Sequence, residues 1–282
     1  MIKVVTFMDG NVPEPLAVVA WSIRKNGNLG NAQYILYTTT PELQENPLLQ
    51  KLYDKIGPPE WDYPKVLKLD WEKRSERFFN RSTNVESMRW SQACWIKFLC
   101  FLEEPCSDED VVIYVDYDTL CIGSLKEAFP PATKAMAGMF HRCGGKNPGR
   151  GVSAGLLVKN GLFTRMNMTT KMQEPLWDID KHREAARLFD SNDEMAIAWY
   201  LENYSRENDC FYALPRKYGI IPWEHIRTGK SMEDADARLV HYGGETKPWN
   251  GLRAPYRKMQ QRWIDARDQM IQEWKEKEGV FR

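Results

Sequence analysis

Val111-Val112-Ile113-Tyr114-Val115-Asp116-Tyr117-Asp118 is the stretch that decides the fold. Its first five residues form a continuous apolar run rich in β-branched side chains, preceded by the polar segment Ser107 to Asp110. That pattern belongs to a strand buried on both faces. Two carboxylates one residue apart at the C-terminal edge of such a strand are costly without a counter-charge. A hard divalent cation bound through oxygen is the natural partner, and a cation held at a strand end is placed to carry a diphosphate. The expectation is an enzyme acting on a nucleotide-diphosphate compound.

The segments before this strand alternate in period. Ile2 to Phe7 reads as a strand, and Glu14 to Arg24 as a helix with Pro13 and Pro15 near its start. Gln33 to Tyr37 reads as a second strand and Pro41 to Ile56 as a second helix. Gly57-Pro58-Pro59 breaks the chain before a third strand at Val66 to Leu69. Glu86 to Leu102 is a long helix that ends before Pro105. Strands alternating with helices predict an α/β fold with a mostly parallel central sheet and helices on both faces. Ligands on such sheets bind at the carboxyl ends of the strands.

The pattern changes after Asp118. Strand-like Ala135 to Phe140 and Val152 to Lys159 flank His141 to Gly151, whose Gly-Gly and Pro-Gly pairs mark a mobile loop. Glu174 to Leu188 and Asp193 to Asn203 read as helices and Arg238 to Tyr242 as a late strand. Lys258 to Lys277 reads as a C-terminal helix with Met259, Trp263, Ala266, Met270 and Trp274 on one stripe. The expected organisation is a single domain, 1–282. It divides into a nucleotide-binding half (1–118), a smaller acceptor-side subregion with a C-terminal metal motif (119–255), and the final helix (256–282).

Composition narrows the partners. Lys+Arg equals Asp+Glu at 39 each, so no basic excess points to nucleic acid or an anionic membrane. No apolar run approaches the roughly 20 residues that span a bilayer, so no transmembrane segment is expected. The six Cys include no C-x-x-C pair and mostly sit in apolar segments, which reads as reduced thiols of a cytoplasmic protein.

Several short segments resemble one family. Tyr114-Val115-Asp116-Tyr117-Asp118-Thr119-Leu120 looks like the D-x-D strand end of the GT-A glycosyltransferases. His241-Tyr242-Gly243-Gly244-Glu245-Thr246-Lys247-Pro248-Trp249 looks like the H-[FY]-x-G-x-x-K-P-W signature of glycosyltransferase family 8, the family of glycogenin, galactinol synthase and bacterial lipopolysaccharide galactosyltransferases. D-x-D alone is a weak signal; both motifs in this order are a strong one. The resemblance runs from Phe7 to Trp249 and implies a GT-A fold. It also implies a metal-dependent retaining transfer of glucose or galactose from a UDP-sugar to a glycan, protein or small-molecule acceptor.

The resemblance assigns residues. Asp116, Asp118 and His241 would hold the metal, and two carboxylates with one imidazole suit Mn²⁺, or Mg²⁺ in its place. Gly244 would let backbone approach the diphosphate and Lys247 would place a charge on it. Lys97, in an otherwise apolar helix, would reach the donor phosphate or sugar. Phe7, Asp9 and Asn11 follow the first strand where the family holds the base, and Tyr117 lies between the two metal carboxylates. Ser153-Ala154-Gly155 stands where the family has Asn-Ser-Gly, so a side-chain bond to the sugar is shortened or lost. Asp190-Ser191-Asn192-Asp193-Glu194 resembles the family's D-G-G-D-Q, with Asp190 expected at the donor and Asp193 at sugar hydroxyls or the acceptor. Glu194 replaces a Gln on the β face of the donor sugar, where a carboxylate can stabilise an oxocarbenium ion or act as nucleophile. The alternatives are a glycogenin-like self-glucosylating initiator, with Tyr200, Tyr204, Tyr212 and Tyr218 as acceptors to weigh, and a nucleotide-sugar binding protein impaired in catalysis.

Overall fold

The computed structural model describes residues 1–61, 63–75, 85–141, 151–188, 192–204, 210–222 and 236–278. Nine strands are described: β1 (Ile2–Phe7), β2 (Gln33–Tyr37), β3 (Lys55–Gly57), β4 (Val111–Val115), β5 (Thr119–Cys121), β6 (Met136–His141), β7 (Gly151–Asn160), β8 (Phe211–Ala213) and β9 (Leu239–His241). Seven of them form one sheet in the order β3-β2-β1-β4-β7-β6-β8, while β5 and β9 form a separate pair. The β3-β2-β1-β4 half is parallel throughout. β7 then runs antiparallel to both β4 and β6, and β8 is parallel to β6. The α/β fold with a mostly parallel sheet is as expected.

Period-2 alternation divides the strands between two cores. Val4, Ile113 and Val115 face a cluster with Leu16, Val19 and Ile23 of the first helix, Pro13–Asn26, and with Met259, Trp263 and Met270 of the C-terminal helix, Arg257–Glu278. Val5, Val112 and Tyr114 face the other way. They pack against Trp95, Phe98, Leu99 and Leu102 of the long helix, Val85–Glu103, and against the helix Asn192–Asn203. Helices therefore cover both faces, which is why β4 reads as a continuous apolar run. Lys159 in β7 is the buried exception. Its ammonium donates to the carbonyls of Leu102 and Glu104, both at 2.8 Å, satisfying the end of the long helix; desolvation lowers its pKa to about 8.

Several boundaries differ from expectation, each for a local reason. Val66 to Leu69 is not the third strand: Tyr63–Leu67 is helical, and the third strand is Lys55–Gly57, paired to β2. Val66 is fully buried while Leu67 is 43% exposed, the one-sided burial of a helical turn. Pro41 to Ile56 is two helices, Pro41–Gln44 and Pro47–Leu52, because Pro47 cannot continue the first. The side chain of Asn46 caps the second, accepting from the amides of Leu48 and Leu49. The helical stretch ending at Leu188 is Met168–Trp177 followed by Ile179–Leu188. Asp178 caps the latter, accepting from Asp180 and Lys181. The three-residue strands β5 and β8 carry too short a pattern to be read. His141 and Gly151 are paired strand ends; the remainder of the expected loop lies outside the described residues. The apolar stripe of the C-terminal helix packs as expected, with Trp263 fully buried. Among the described residues no helix is long and apolar enough to cross a membrane, and five cysteines are free and buried.

Candidate metal and diphosphate site

The site forms where β4 ends. Val5 pairs with Tyr114, so Phe7 and Asp116 fall level at the carboxyl edge of the parallel strands. Asp116 leaves β4 with its amide donating to the carbonyl of Gly155 in β7, and its own carbonyl accepts from Thr119 Oγ1. That turn sends the chain into β5, where Thr119 pairs with His241 of β9. The Tyr242 amide then donates to the Asp118 carbonyl at 2.7 Å. Segments far apart in sequence thus bring Asp116, Asp118 and His241 together, with one ligand atom from each lying within 4.8 Å of the others. His241 Nε2 is 3.1 Å from Asp118 Oδ1 and 3.6 Å from Asp116 Oδ2. Two carboxylates and an imidazole nitrogen fit a divalent cation that accepts mixed oxygen and nitrogen ligands.

Two lysines flank the trio. Lys97 Nζ, from the long helix, lies 3.2 Å from Asp116 Oδ2, and Lys247 Nζ lies 3.3 Å from Asp118 Oδ2. Lys247 also donates to Tyr117 Oη at 2.5 Å and lies over the Tyr117 ring. Both aspartates are buried at 6% exposure. Burial alone would raise the Asp118 pKa, but His241, Lys247 and Lys97 outweigh it and hold the carboxyl well below its usual range. Burial opposes charge on His241 in turn, yet Asp118 and Asp116 push its pKa up. A proton on His241 therefore competes with a metal for Nε2.

The remaining support comes from residues outside the motifs. Tyr114 Oη donates to Asp116 Oδ1 at 2.7 Å from within the core. Burial, then the charge of Asp116, raises the Tyr114 pKa well above normal, so the phenol is a neutral donor. The imidazole of His241 is oriented differently: its Nδ1 is buried without a hydrogen-bond partner among the described residues, and the ring lies against Gly155. The motif after His241 is tied to the C-terminal helix. Tyr242 Oη donates to the Met259 carbonyl, and the buried Gln260 amide donates to the carbonyls of Thr246 and Gly251. Trp249 packs on Trp263 at 5.3 Å between ring centroids.

No protein-family model and no curated protein matches this chain at a significant level. Solved structures do. The galactosyltransferase LgtC, in complex with donor and acceptor sugar analogs, matches with a TM-score of 0.62 at 13% identity, over 95% of each chain. The glycosyltransferase GlyE of Streptococcus pneumoniae TIGR4 matches at 0.61 and 15% identity, over 99% of this chain and 65% of that one, so this chain spans under two thirds of GlyE. Mouse xyloside xylosyltransferase 1 matches at 0.55 and 12% identity, over 86% of this chain and 98% of that one. The chain has a GT-A glycosyltransferase fold.

On this GT-A sheet the other expected residues fall as follows. Asp9 lies past the end of β1, where its Oδ1 accepts from Thr39 Oγ1 at 2.5 Å and Thr40 Oγ1 at 3.4 Å. Asn11 is exposed on the same connection and Phe7 is buried beneath it. Gly244 is exposed with a φ of +60°, and a β-carbon there would meet nothing within 4 Å. That left-handed backbone favours glycine. Ser153 and Ala154 lie in β7, where the register against β6 jumps from Gly138↔Leu157 to Met139↔Ser153; their side chains lie outside the described residues. So do Asp190 and the side chain of Asp193, in the helix Asn192–Asn203. Glu194 is on the first turn of that helix and half-buried. Sequence reasoning missed Tyr114, Gly155 and Gln260. Two of them carried a signal: the i, i+2 spacing of Tyr114 from Asp116 puts both on one face of an extended segment, and Gly155 is the residue of Ser153-Ala154-Gly155 that matches the family's Asn-Ser-Gly.

Proposed function

We propose that this protein is a glycosyltransferase that moves a hexose, glucose or galactose, from a UDP-sugar to an acceptor with metal dependence and retention of configuration. The observation that carries the reading is the Asp116, Asp118 and His241 trio, flanked by Lys97 and Lys247, at the carboxyl edge of a GT-A sheet. Asp116, Asp118 and His241 would hold Mn²⁺, or Mg²⁺ in its place. A bound cation would supply electrostatic stabilisation of the departing diphosphate. Lys247 and Lys97 add positive charge on the same leaving group. Asp9, with one oxygen held by Thr39, keeps the other for a base N–H, as a uracil edge offers. Glu194 would stabilise positive charge on the sugar or attack it, and Asp193 would bond sugar hydroxyls or orient the acceptor. Retention rests on the family 8 resemblance. A nucleotide-binding half at 1–118 and an acceptor half beyond it, within one domain, agree with this division of labour. Free, buried cysteines agree with a cytoplasmic setting.

Self-glucosylation is the weaker reading. Tyr200 and Tyr218 are fully buried and Tyr204 hydrogen-bonds Glu174 through its hydroxyl, which leaves the half-buried Tyr212 of β8 as the acceptor to weigh. The test is UDP release from UDP-glucose and UDP-galactose with Mn²⁺, repeated with EDTA and with Asp118→Asn. Release that needs the metal and Asp118 is expected. Nucleotide binding without release from any UDP-sugar would favour a binding protein that has lost catalysis.

A further inference from the structure

A cavity of about 400 Å³ opens between the first helix, strand β5 and the C-terminal helix, within the size range of small-ligand pockets. None of the residues that line it belongs to the metal site. β5 starts one residue after Asp118, and its far end, Cys121 followed by Ile122, borders the cavity on the order of 10 Å from that carboxylate. Ala266 makes the room. The C-terminal helix turns Met259, Trp263, Ala266 and Met270 inward, and Ala266 is the one small member of that stripe. Arg262 stands four residues before it and Gln269 three after it, with Asp265 between them, so all three border the gap on one face of the helix.

Trp21 supplies an aromatic wall. Its N–H donates to Glu273 Oε2 at 2.9 Å and Lys25 lies over the ring at 4.7 Å, so the indole offers the cavity only its remaining carbon surface. The polar groups around it are not used up. Asn26 donates to the Cys121 carbonyl at 2.8 Å and keeps its side-chain oxygen free among the described residues. Asp265 accepts from Gln261 with Oδ1 and keeps Oδ2. Arg262 and Gln269 make no hydrogen bond or ion pair among the described residues. Charge is balanced: Lys25 is paired with Glu273 at 2.6 Å, and Arg262 and Asp265 have opposite signs. A cavity with no net charge gives an anion no advantage. It offers carbon beside interleaved donors and acceptors, which matches a pyranose ring, with its C–H faces and its hydroxyls that both donate and accept. We propose that this cavity binds a neutral hexose residue of a glycan, separate from the sugar being transferred. The binding rests on the cavity alone. That the glycan is the acceptor chain, anchored beside the transfer site, rests on the glycosyltransferase reading above.

The experiment is saturation-transfer NMR of the full chain with maltotriose and with lactose, without metal or nucleotide, and with glucose 6-phosphate as the charged probe. Saturable binding of a neutral sugar by the wild type is expected. Arg262→Ala and Gln269→Ala should each weaken it by about fivefold or more, the loss of a hydrogen bond from a group with no other partner. Ala266→Phe should abolish it by filling the space. Circular dichroism checks each variant; the two alanine variants change side chains that are half-buried and exposed, and they carry the test if Ala266→Phe unfolds. Binding of neither neutral sugar, binding unchanged in the alanine variants, or tighter binding of glucose 6-phosphate than of the neutral sugars would overturn the proposal and leave the glycosyltransferase reading standing. Sugar binding that the alanine variants weaken, with no UDP release from any UDP-sugar, would overturn that reading and leave the cavity a glycan site.

Discussion

A β-carbon on Gly155 would stand 2.6 Å from Nδ1 of His241. No real contact of that kind is so short, and the obstacle is a half-buried ring. The glycine therefore sets how deep the imidazole sits, and with it where Nε2 meets Asp116 and Asp118. Hydrogen bonds usually orient a ligating histidine; here packing does so. Gly155→Ala should displace the ring and weaken Mn²⁺ binding in the presence of UDP by about tenfold or more. It should also destabilise the fold by about 1–3 kcal/mol through overpacking. Calorimetry and urea unfolding read the two effects separately, and wild-type metal affinity in this variant would refute the assignment.

Tyr114 holds the opposite side of the trio. Removing its hydroxyl leaves Asp116 Oδ1 without the 2.7 Å bond and frees the carboxylate to rotate. Tyr114→Phe should weaken Mn²⁺ binding by about tenfold or more, with a stability loss of about 1–3 kcal/mol. A large loss of stability with unchanged metal affinity would mean that the bond serves the core alone.

Glu194 stands where the resembling family has Gln. If the carboxylate stabilises or captures the developing cation, Glu194→Gln should lower kcat by about 100-fold while UDP and Mn²⁺ affinity stay unchanged. Transfer at the wild-type rate by this variant would end the idea.

His182, away from the site, sets a pH dependence of stability. Its Nε2–H donates to the Arg74 carbonyl at 3.1 Å, and burial lowers its pKa to about 4. The unfolded chain takes up a proton near pH 6.5 that the folded chain refuses until about pH 4. Stability attributable to His182 is therefore full above pH 6.5 and lost as pH falls toward 4, by up to about 3 kcal/mol. Urea unfolding between pH 7 and 5 should show this slope in the wild type and a shallower one in His182→Gln. Parallel slopes would show that other groups carry it.

Val111–Val115 was legible because burial on both faces leaves an uninterrupted apolar signature, and Ile2–Phe7 and Gln33–Tyr37 because short, mostly apolar runs fall between helical patterns. The long helix and the C-terminal stripe were legible by the same logic at period 3.6. The break at Pro47 and the helical turn at Val66 were not. Pro41 to Ile56 carried one helical pattern that Pro47 and the Asn46 cap divide, and Val66 to Leu69 a short apolar run that strand and helix both satisfy. Asp116, Asp118, His241 and Lys247 could be named before any fold was known, because their motifs are local in sequence.

The sequence by itself determined the chemistry on offer: two carboxylates at a strand end, an imidazole and two lysines. Only the tertiary structure decided how those groups meet. Gly155 seats His241, Tyr114 holds Asp116, and Gln260 ties the last motif to the final helix, through contacts between segments distant along the chain. Such contacts leave no periodic trace, because each is one residue answering another across the fold. The pairing of Lys97 with Asp116 and of Lys247 with Asp118 is of this kind.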